Sequence, residues 1–160
     1  MGIGLFDFGT AKVFATAGKE RFIYMTKILV IDAQGGGIGK QIINEISARN
    51  LDVDILAVGT NSTATAAMLK AGAQHAATGE NSVKVGCRTA DFIMGPIGIT
   101  IADSMYGEIT PDMATAVGQS SGQRIFIPVN HCSNYVVGVS NLNLKLLIKE
   151  AVDYLVTQMS

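Results

Sequence analysis

Short apolar runs alternate along the chain with longer segments whose apolar residues recur at helical spacing. Most of the runs are rich in β-branched residues, as in strands that are buried on both faces. They span residues 28–31, 53–58, 74–77, 91–94 and 124–129. A further run, 135–139, predicts a sixth strand that could be antiparallel. The alternation predicts the α/β class, with a single three-layer domain and a mainly parallel sheet between helices.

The helices are marked by their ends as well as by their apolar stripes. Thr110 is a predicted N-cap, Pro111 follows at the first helical position, and Gly118 closes that helix. Asn61 or Ser62 is predicted to cap the helix that follows the second strand. The C-terminal helix has the clearest apolar stripe, formed by Leu144, Leu147, Ile148, Ala151, Val152 and Leu155.

Residues 1–24 do not fit this alternation. Their apolar residues alternate with other residues around 5–8 and 13–14, which predicts a hairpin at an edge of the sheet. The alternative is that Met25 is the natural start and that the first 24 residues are a loosely ordered leader outside the native protein. Under either interpretation we place the α/β domain at 25–160.

The composition indicates one compact domain and gives no electrostatic argument for a large charged partner. The 160 residues are 48% hydrophobic and 16% charged, with a net charge of −1. A chain of this length buries one core, and its charge predicts neither a nucleic-acid nor a membrane partner. No apolar run reaches the ~18 residues of a membrane span and no signal peptide is evident, so we expect a cytoplasmic protein. Two cysteines without ligand spacing predict no metal site.

The most informative segment is the glycine-rich turn that follows the first buried strand. Four of the five residues at 35–39 are glycine, and Ile38, Ile42 and Ile43 recur at helical spacing, so a helix begins inside the cluster. Glycines let a ligand approach the backbone, and amides at a helix N-terminus attract anions. We therefore predict a nucleotide or dinucleotide site here. Its candidate contacts are Asp32, Gln34, Gly35, Gly36, Gly37, Ile38 and Gly39.

The spacing of these glycines restricts the kinds of site that fit. The order is not Gly-x-Gly-x-x-Gly, because Lys40 stands where the third glycine belongs. A P-loop would need glycine at Gln34 and a hydroxyl residue at Gln41. The segment 37–39 resembles the glycine turn of short-chain dehydrogenases, although the Thr-Gly pair of that family is missing at 32–33. The alternative to a ligand site is a tight strand–helix turn that binds nothing.

Polar or glycine-bearing turns also follow the other strands. Parallel strands have their carboxyl ends at one edge of a sheet, where such sheets bind ligands, so we add these turns to the predicted site. The added residues are Thr60, Asn61, Gly79, Asn81, Gly95, Pro96 and Gly98. Dinucleotide enzymes place an acid about 20 residues after the glycines. Because Thr60 and Asn61 stand there instead, NAD is not favoured over NADP, and another nucleotide stays open.

Several segments together resemble one family. The most specific are Asp-Ala-Gln-Gly-Gly-Gly-Ile-Gly at 32–39 and Gly-Pro-Ile-Gly-Ile at 95–99. They are similar to a group of short bacterial proteins that is classified as a domain of unknown function and treated as Rossmann-like. The resemblance runs from Met25 to Gly138 and leaves out residues 1–24. It implies a Rossmann-like fold and use of the glycine turn, and it implies no activity.

Few residues offer acid–base or nucleophilic chemistry. Glu80, Glu108 and Cys132 are the weak catalytic candidates, since both carboxylates lie in glycine-flanked turns and the thiol follows His131 at the end of a strand. A solvated or capping carboxylate and a buried inert thiol are the alternatives. Asp32 could organise the loop amides, accept a hydroxyl of the ligand or hold Mg²⁺. The Tyr-x-x-x-Lys pair of short-chain dehydrogenases is absent.

These observations leave three hypotheses for function. The first is a binding protein that holds NAD, NADP or another nucleotide as a sensor, carrier or regulatory domain. The second is a small NAD(P)-dependent oxidoreductase or transferase that uses Glu80, Glu108 or Cys132. The third is a structural or assembly partner with no ligand. We expect a small-molecule nucleotide as the partner, and we leave a homo-oligomer open.

Overall fold

The fold was obtained as a computed structural model that describes residues 6–7, 11–16, 19–129, 134–139 and 143–159. The strands are β1 (Phe6–Asp7), β2 (Ala11–Thr16), β3 (Lys19–Tyr24), β4 (Thr26–Asp32), β5 (Val53–Gly59), β6 (His75–Thr78), β7 (Phe92–Pro96) and β8 (Gln123–Ile127). The helices are α1 (Gly37–Ala48), α2 (Ser62–Lys70), α3 (Glu80–Thr89), α4 (Pro111–Gln119) and α5 (Leu144–Met159). A short 3-10 helix, Ile97–Thr100, follows β7.

Five parallel strands form the central sheet, in the order β6-β5-β4-β7-β8. The chain starts in the middle at β4, moves outward to β6, and then returns to the other side of β4 at β7. The reversal leaves a gap between the connections at the carboxyl ends of β4 and β7, which is the point where open α/β sheets bind ligands. The predicted α/β class, its parallel sheet and the Rossmann-like arrangement are confirmed.

Strand β4 is central because its side chains supply both halves of the core. Ile28 and Val30 face one cluster, which is packed by α1 and α5, and Leu29 and Ile31 face the other, which is packed by α3 and α4. All four side chains are buried, and burial of each stabilises the fold by about 1.5–3 kcal/mol. A strand without a polar face can only lie inside a sheet that is covered on both sides.

The predicted helix starts are also confirmed, whereas α4 continues one residue past the predicted end at Gly118. The Asn61 side chain accepts a hydrogen bond from the Ala64 amide at 2.9 Å, and the Thr110 hydroxyl accepts one from the Met113 amide at 3.1 Å. Pro111 begins α4 as predicted. Each cap satisfies an amide that the helix itself leaves without a partner, which is why these residue types mark helix starts in a sequence.

The C-terminal helix α5 covers one face of the sheet with the stripe that its sequence predicted. The side chains of Ile148, Ala151, Val152 and Leu155 are all buried. Its 16 residues carry charged side chains on the other faces. Nowhere in the described part of the chain does a helix have both the length and the apolar character needed to cross a membrane.

The predicted sixth strand at 135–139 is wrong. Residues 134–139 form an irregular segment with a turn and no strand, and Gly138 has a left-handed backbone with φ of 90°. Tyr135 and Val137 are 75% and 85% exposed, so these two apolar side chains do not face a core. A run of β-branched residues forms a strand only where its backbone pairs with another strand, and residues 134–139 belong to neither sheet.

The N-terminal strands β1, β2 and β3 pair antiparallel with one another in a sheet of their own. The predicted position at an edge of the parallel sheet is therefore wrong for the described residues. The Tyr24 hydroxyl donates to the Asp91 carboxylate at 2.7 Å, and the Lys27 amide donates to the same carboxylate at 2.8 Å. These bonds connect the end of β3 to the residue before β7, and the domain boundary at residue 25 stays a prediction.

Replacing Gly95 by alanine should destabilise the sheet. The added methyl group would lie 2.4 Å from the carbonyl oxygen of Ile31 and 3.0 Å from the Cδ1 atom of Ile99. The Ile31 backbone is paired within the sheet and cannot retreat freely. We expect Gly95→Ala to lower the free energy of unfolding by about 1–3 kcal/mol, measured by urea denaturation.

The matched control is Gly118→Ala, because no heavy atom lies within 4 Å of a methyl group placed there on α4. We expect that variant to be at least as stable as the wild type, since alanine favours the helix. A Gly95→Ala protein with wild-type stability would contradict the close approach of β7 to β4.

Candidate functional site at the carboxyl edge of the sheet

A crevice of about 750 Å³ lies at the carboxyl ends of β4 and β7. Its walls come from the glycine turn, the 3-10 helix, the loop at 103–106 and the beginning of α5. Seven of the residues that the sequence predicted for the site line it. These seven are Asp32, Gln34, Gly35, Gly37, Ile38, Pro96 and Gly98.

The glycines of the turn divide into two pairs with different roles. A methyl group on Gly36 would lie 2.7 Å from the Ala64 Cα atom, and Gly36 has a φ of 68°. A methyl group on Gly39 would lie 2.4 Å from the sulfur of Met68. These two glycines allow α1 to pack closely against α2. Gly35 and Gly37 have no heavy atom within 4 Å of such a methyl group and face open space.

The same division holds for the backbone amides. The Gly36 amide donates to the Ala33 carbonyl at 3.0 Å, and the Gly39 amide donates to the Asp32 carboxylate at 2.7 Å. Within the described part of the chain, the amides of Gly35 and Gly37 donate to no protein acceptor. They are therefore the donors at the head of α1 that remain available to a ligand.

Asp32 is buried at the head of α1, with a side-chain exposure of 4%. One carboxylate oxygen accepts from the Ala33 amide at 2.8 Å, and the other accepts from Gly39. Of the three roles considered from sequence, the structure shows the organisation of the loop amides. Burial raises the pKa of Asp32 most strongly. The amide hydrogen bonds oppose that effect, and the nearby charge of Glu108 adds to it.

Thr60 and Asn61 follow β5 at the position where dinucleotide enzymes have an acid. In the folded protein the carboxylate of Glu108, from a distant loop, lies beside them. Its Oε2 atom accepts hydrogen bonds from the Gln34 amide and the Asn61 side chain, both at 2.9 Å, and from the Thr60 hydroxyl. Partial burial alone would raise the pKa of Glu108. The hydrogen bonds from Thr60, Gln34 and Asn61 outweigh burial and lower it.

The sequence did not predict that the loop carrying Glu108 forms a wall of the crevice. Asp103, Met105, Tyr106 and Gly107 have positive φ values of 62°, 54°, 60° and 82°, and only the glycine announces such a backbone in the sequence. The first three of these residues line the crevice. Tyr106 is 96% exposed, so its ring lies at the solvent side of that wall.

The comparisons with known proteins identify a family. A model of a domain of unknown function, DUF3842, matches residues 27–160. The chain belongs to the DUF3842 family. No curated protein sequence matches it.

Two solved structures share part of the fold with this DUF3842 chain. One is a nucleoside-diphosphate-sugar epimerase from Pseudomonas aeruginosa, with a TM-score of 0.43 and 13% identity over 81% of this chain and 46% of the epimerase. The chain thus spans about half the length of that protein. The other is a dodecameric FMN-dependent UbiX-like decarboxylase from Escherichia coli O157:H7, with a TM-score of 0.39 and 15% identity over 81% of this chain and 76% of the decarboxylase.

The remaining candidate residues that the structure of the DUF3842 chain describes lie outside the crevice lining. Glu80 accepts a hydrogen bond from the Thr110 hydroxyl at 2.7 Å and lies 3.8 Å from Lys84. That contact joins the first turns of α3 and α4. Gly79 precedes α3 with a φ of 97°, and Asn81 is exposed on the first turn of that helix. Glu80, Gly79 and Asn81 therefore belong to the beginning of α3, and Glu80 also contacts the N-cap of α4.

The two cysteines offer no described nucleophile. Cys132, with its neighbour His131, lies outside the described residues. Cys87 is buried in the core, and burial raises the pKa of its thiol to about 11. A thiol with so high a pKa remains protonated at neutral pH and is a poor nucleophile.

The Asp32 proton should make stability depend on pH with an unusual sign. Because the folded-state pKa of Asp32 lies above its ordinary value of 3.8, the folded state binds more protons than the unfolded state just above that pH. Stability should then fall as pH rises through that window. We expect Asp32→Asn to lack this decline, measured by urea unfolding between about pH 3 and pH 7.

Glu108 should affect stability with the opposite dependence on pH, and it serves as the control. Its pKa is lowered from 4.5, so its stabilising contribution is present above that pH and is lost as pH falls through the folded-state pKa. Glu108→Gln should lack that acid loss. Identical pH profiles for the wild type and Asp32→Asn would contradict the raised pKa of Asp32.

Proposed function

We propose that this protein binds a nucleotide in the crevice and acts as a sensor, carrier or regulatory domain. The observation that carries the proposal is the pair Gly35 and Gly37, whose amides donate to no acceptor and whose missing side chains meet no atom among the described residues. A phosphate placed there would meet two amide donors and the positive end of the α1 dipole. The position at the switch point of the sheet supports the same interpretation.

The size and lining of the crevice suit a base and a sugar beside that phosphate. A volume of about 750 Å³ lies within the range of about 300–1,000 Å³ that is usual for small-molecule sites. Ile38, Val129 and Leu144 give it apolar surface, and Gln41 and Asn134 give it amide groups. Such a mixture binds a flat ring by contact and orients it by hydrogen bonds.

The charges around the crevice favour a ligand with few phosphates. Its lining contains the carboxylates of Asp32 and Asp103 and, among the described residues, no lysine or arginine. A triphosphate would bring several negative charges next to these groups with only two amides to offset them. By phosphate charge alone, ligands with one or two phosphates, such as the mononucleotides and NAD, fit better than ATP, and the additional phosphate of NADP makes it a weaker candidate than NAD.

Binding explains the geometry better than turnover does. The two carboxylates proposed as acid–base groups, Glu80 and Glu108, accept hydrogen bonds from protein groups and do not line the crevice. Asp32 does line the crevice, and both of its oxygens are held by amides. We therefore assign ligand recognition to this site and no reaction.

Gly37→Val should abolish ligand binding with little change in the fold. The new side chain would enter space that is open in the protein and that we assign to the phosphate. We expect one nucleotide from a panel of NAD, NADP, AMP, NMN, FMN, FAD, ATP and coenzyme A to raise the melting temperature of the wild type. At about 100 times the Kd the ligand adds about 2.7 kcal/mol. The variant should show no rise.

The control for this experiment is Gly118→Val, which places the same side chain in open space on α4, away from the crevice. It should keep the ligand-induced rise in full. Mass spectrometry of the natively purified wild type tests for a nucleotide that co-purifies. If none is found and no nucleotide raises the melting temperature, a structural role without a ligand is favoured.

Tyr106→Ala should weaken binding of the same nucleotide. The exposed ring lines the crevice and can stack on the ligand base, and such stacking contributes about 1–3 kcal/mol per base. We expect a loss of about tenfold in affinity. Tyr135→Ala is the matched control, because that ring is also exposed and does not line the crevice. Titration calorimetry measures both affinities, because each substitution removes one of the four tyrosines and so alters the tyrosine fluorescence itself. Equal affinities for the two variants would rule out stacking.

A further inference from the structure

Three donors converge on one carboxylate oxygen beside the glycine turn. The Thr60 hydroxyl and the Asn61 amide group come from the residues that follow β5, and the Gln34 amide comes from the turn itself. In a Rossmann-like site these two segments flank the adenosine ribose of a dinucleotide. Here all three donate to Glu108 instead.

We propose that Glu108 closes the adenosine side of the site, so that the protein binds a nucleotide with a single nucleoside and excludes dinucleotides. This inference rests on the proposed function and adds the length of the ligand to it. Glu108 is then a residue that determines specificity through the space and the donors that it occupies.

The extent of the crevice supports this division. It runs from the glycine turn toward Pro96, Val129 and Leu144, on the β7 side of the central strand. Thr60 and Asn61, on the β5 side, do not line it. A ligand held at Gly35 and Gly37 therefore has room for one nucleoside on the β7 side and meets the Glu108 carboxylate on the other.

The carboxylate is fixed in place by the next two residues of the chain. Ile109 is fully buried, and its amide donates to the Ser104 carbonyl at 3.3 Å. Its own carbonyl accepts from the Asp103 amide at 2.8 Å. The second residue, Thr110, caps α4. Moving the loop would break these contacts, and turning the side chain away would break its bonds to Thr60, Asn61 and Gln34, so the carboxylate stays on the β5 side of the turn.

The charge and hydrogen bonds of the Glu108 carboxylate also disfavour binding of the second nucleotide half of a dinucleotide. A ribose hydroxyl could bond to Thr60 or Asn61 only by displacing a charged acceptor, and charged acceptors form the stronger hydrogen bonds. The second phosphate of a dinucleotide would lie on the same side as this negative charge. Unfavourable contacts of this kind select against one ligand without improving the fit of another.

The experiment compares ligands that share a nucleotide half. Titration calorimetry of the wild type with AMP, NMN and NAD, and with FMN and FAD, should show that a mononucleotide binds about tenfold or more tightly than the dinucleotide that contains it. Glu108→Ala should raise affinity for that dinucleotide about tenfold and leave the mononucleotide affinity unchanged. Glu80→Ala removes a carboxylate that touches neither Thr60 nor Asn61, and should change neither affinity.

The possible results separate the two proposals. A wild type that binds the dinucleotide at least as tightly as the mononucleotide overturns the inference, and it leaves nucleotide binding intact. A loss of dinucleotide affinity in Glu108→Ala, with mononucleotide binding retained, also overturns it, because Glu108 would then hold the ribose. Absence of binding by every nucleotide overturns the proposed function and this inference with it. If Glu108→Ala does not fold, the comparison of ligands on the wild type alone decides.

Discussion

The carboxylate of Asp32, held by amides at the head of α1, is the interaction on which the site depends. It ends the central strand and begins the first helix, and both of its oxygens bond to the turn between them. A buried charge without such partners would cost several kcal/mol, so the turn must keep the shape that supplies them. The close packing at Gly36 and Gly39 results from that shape, and the amides of Gly35 and Gly37 are the donors that it leaves for a ligand.

The loop after β7 completes the edge of the sheet. Its left-handed residues Asp103, Met105 and Tyr106 line the crevice, and the same loop directs Glu108 back to the end of β5. The Ser104 hydroxyl donates to the Gly98 carbonyl at 2.6 Å, which binds the loop to the 3-10 helix below it. One connection therefore forms the wall of the crevice and also fills the space beside it.

Much of the fold could be predicted from local sequence, because its causes are local. A fully apolar β-branched segment such as Ile28 to Ile31 is stable only when it is covered on both faces, and Asn61 and Thr110 cap helices through atoms within three residues. The run at 135–139 is also rich in β-branched residues and forms no strand. A strand also needs a partner edge, and no sequence window contains that information.

The sequence by itself determined the order of strands and helices, the position of the glycine turn and the family to which the chain belongs. Only the tertiary structure decided which glycines of the turn pack against α2 and which border the crevice, because that depends on whether Ala64 and Met68 contact them. It also decided that the acid beside Thr60 is Glu108, 48 positions away in the chain. Hydrogen bonds between such distant residues depend on how the loops pack together at the edge of the sheet. The spacing of residues along the chain does not predict that packing.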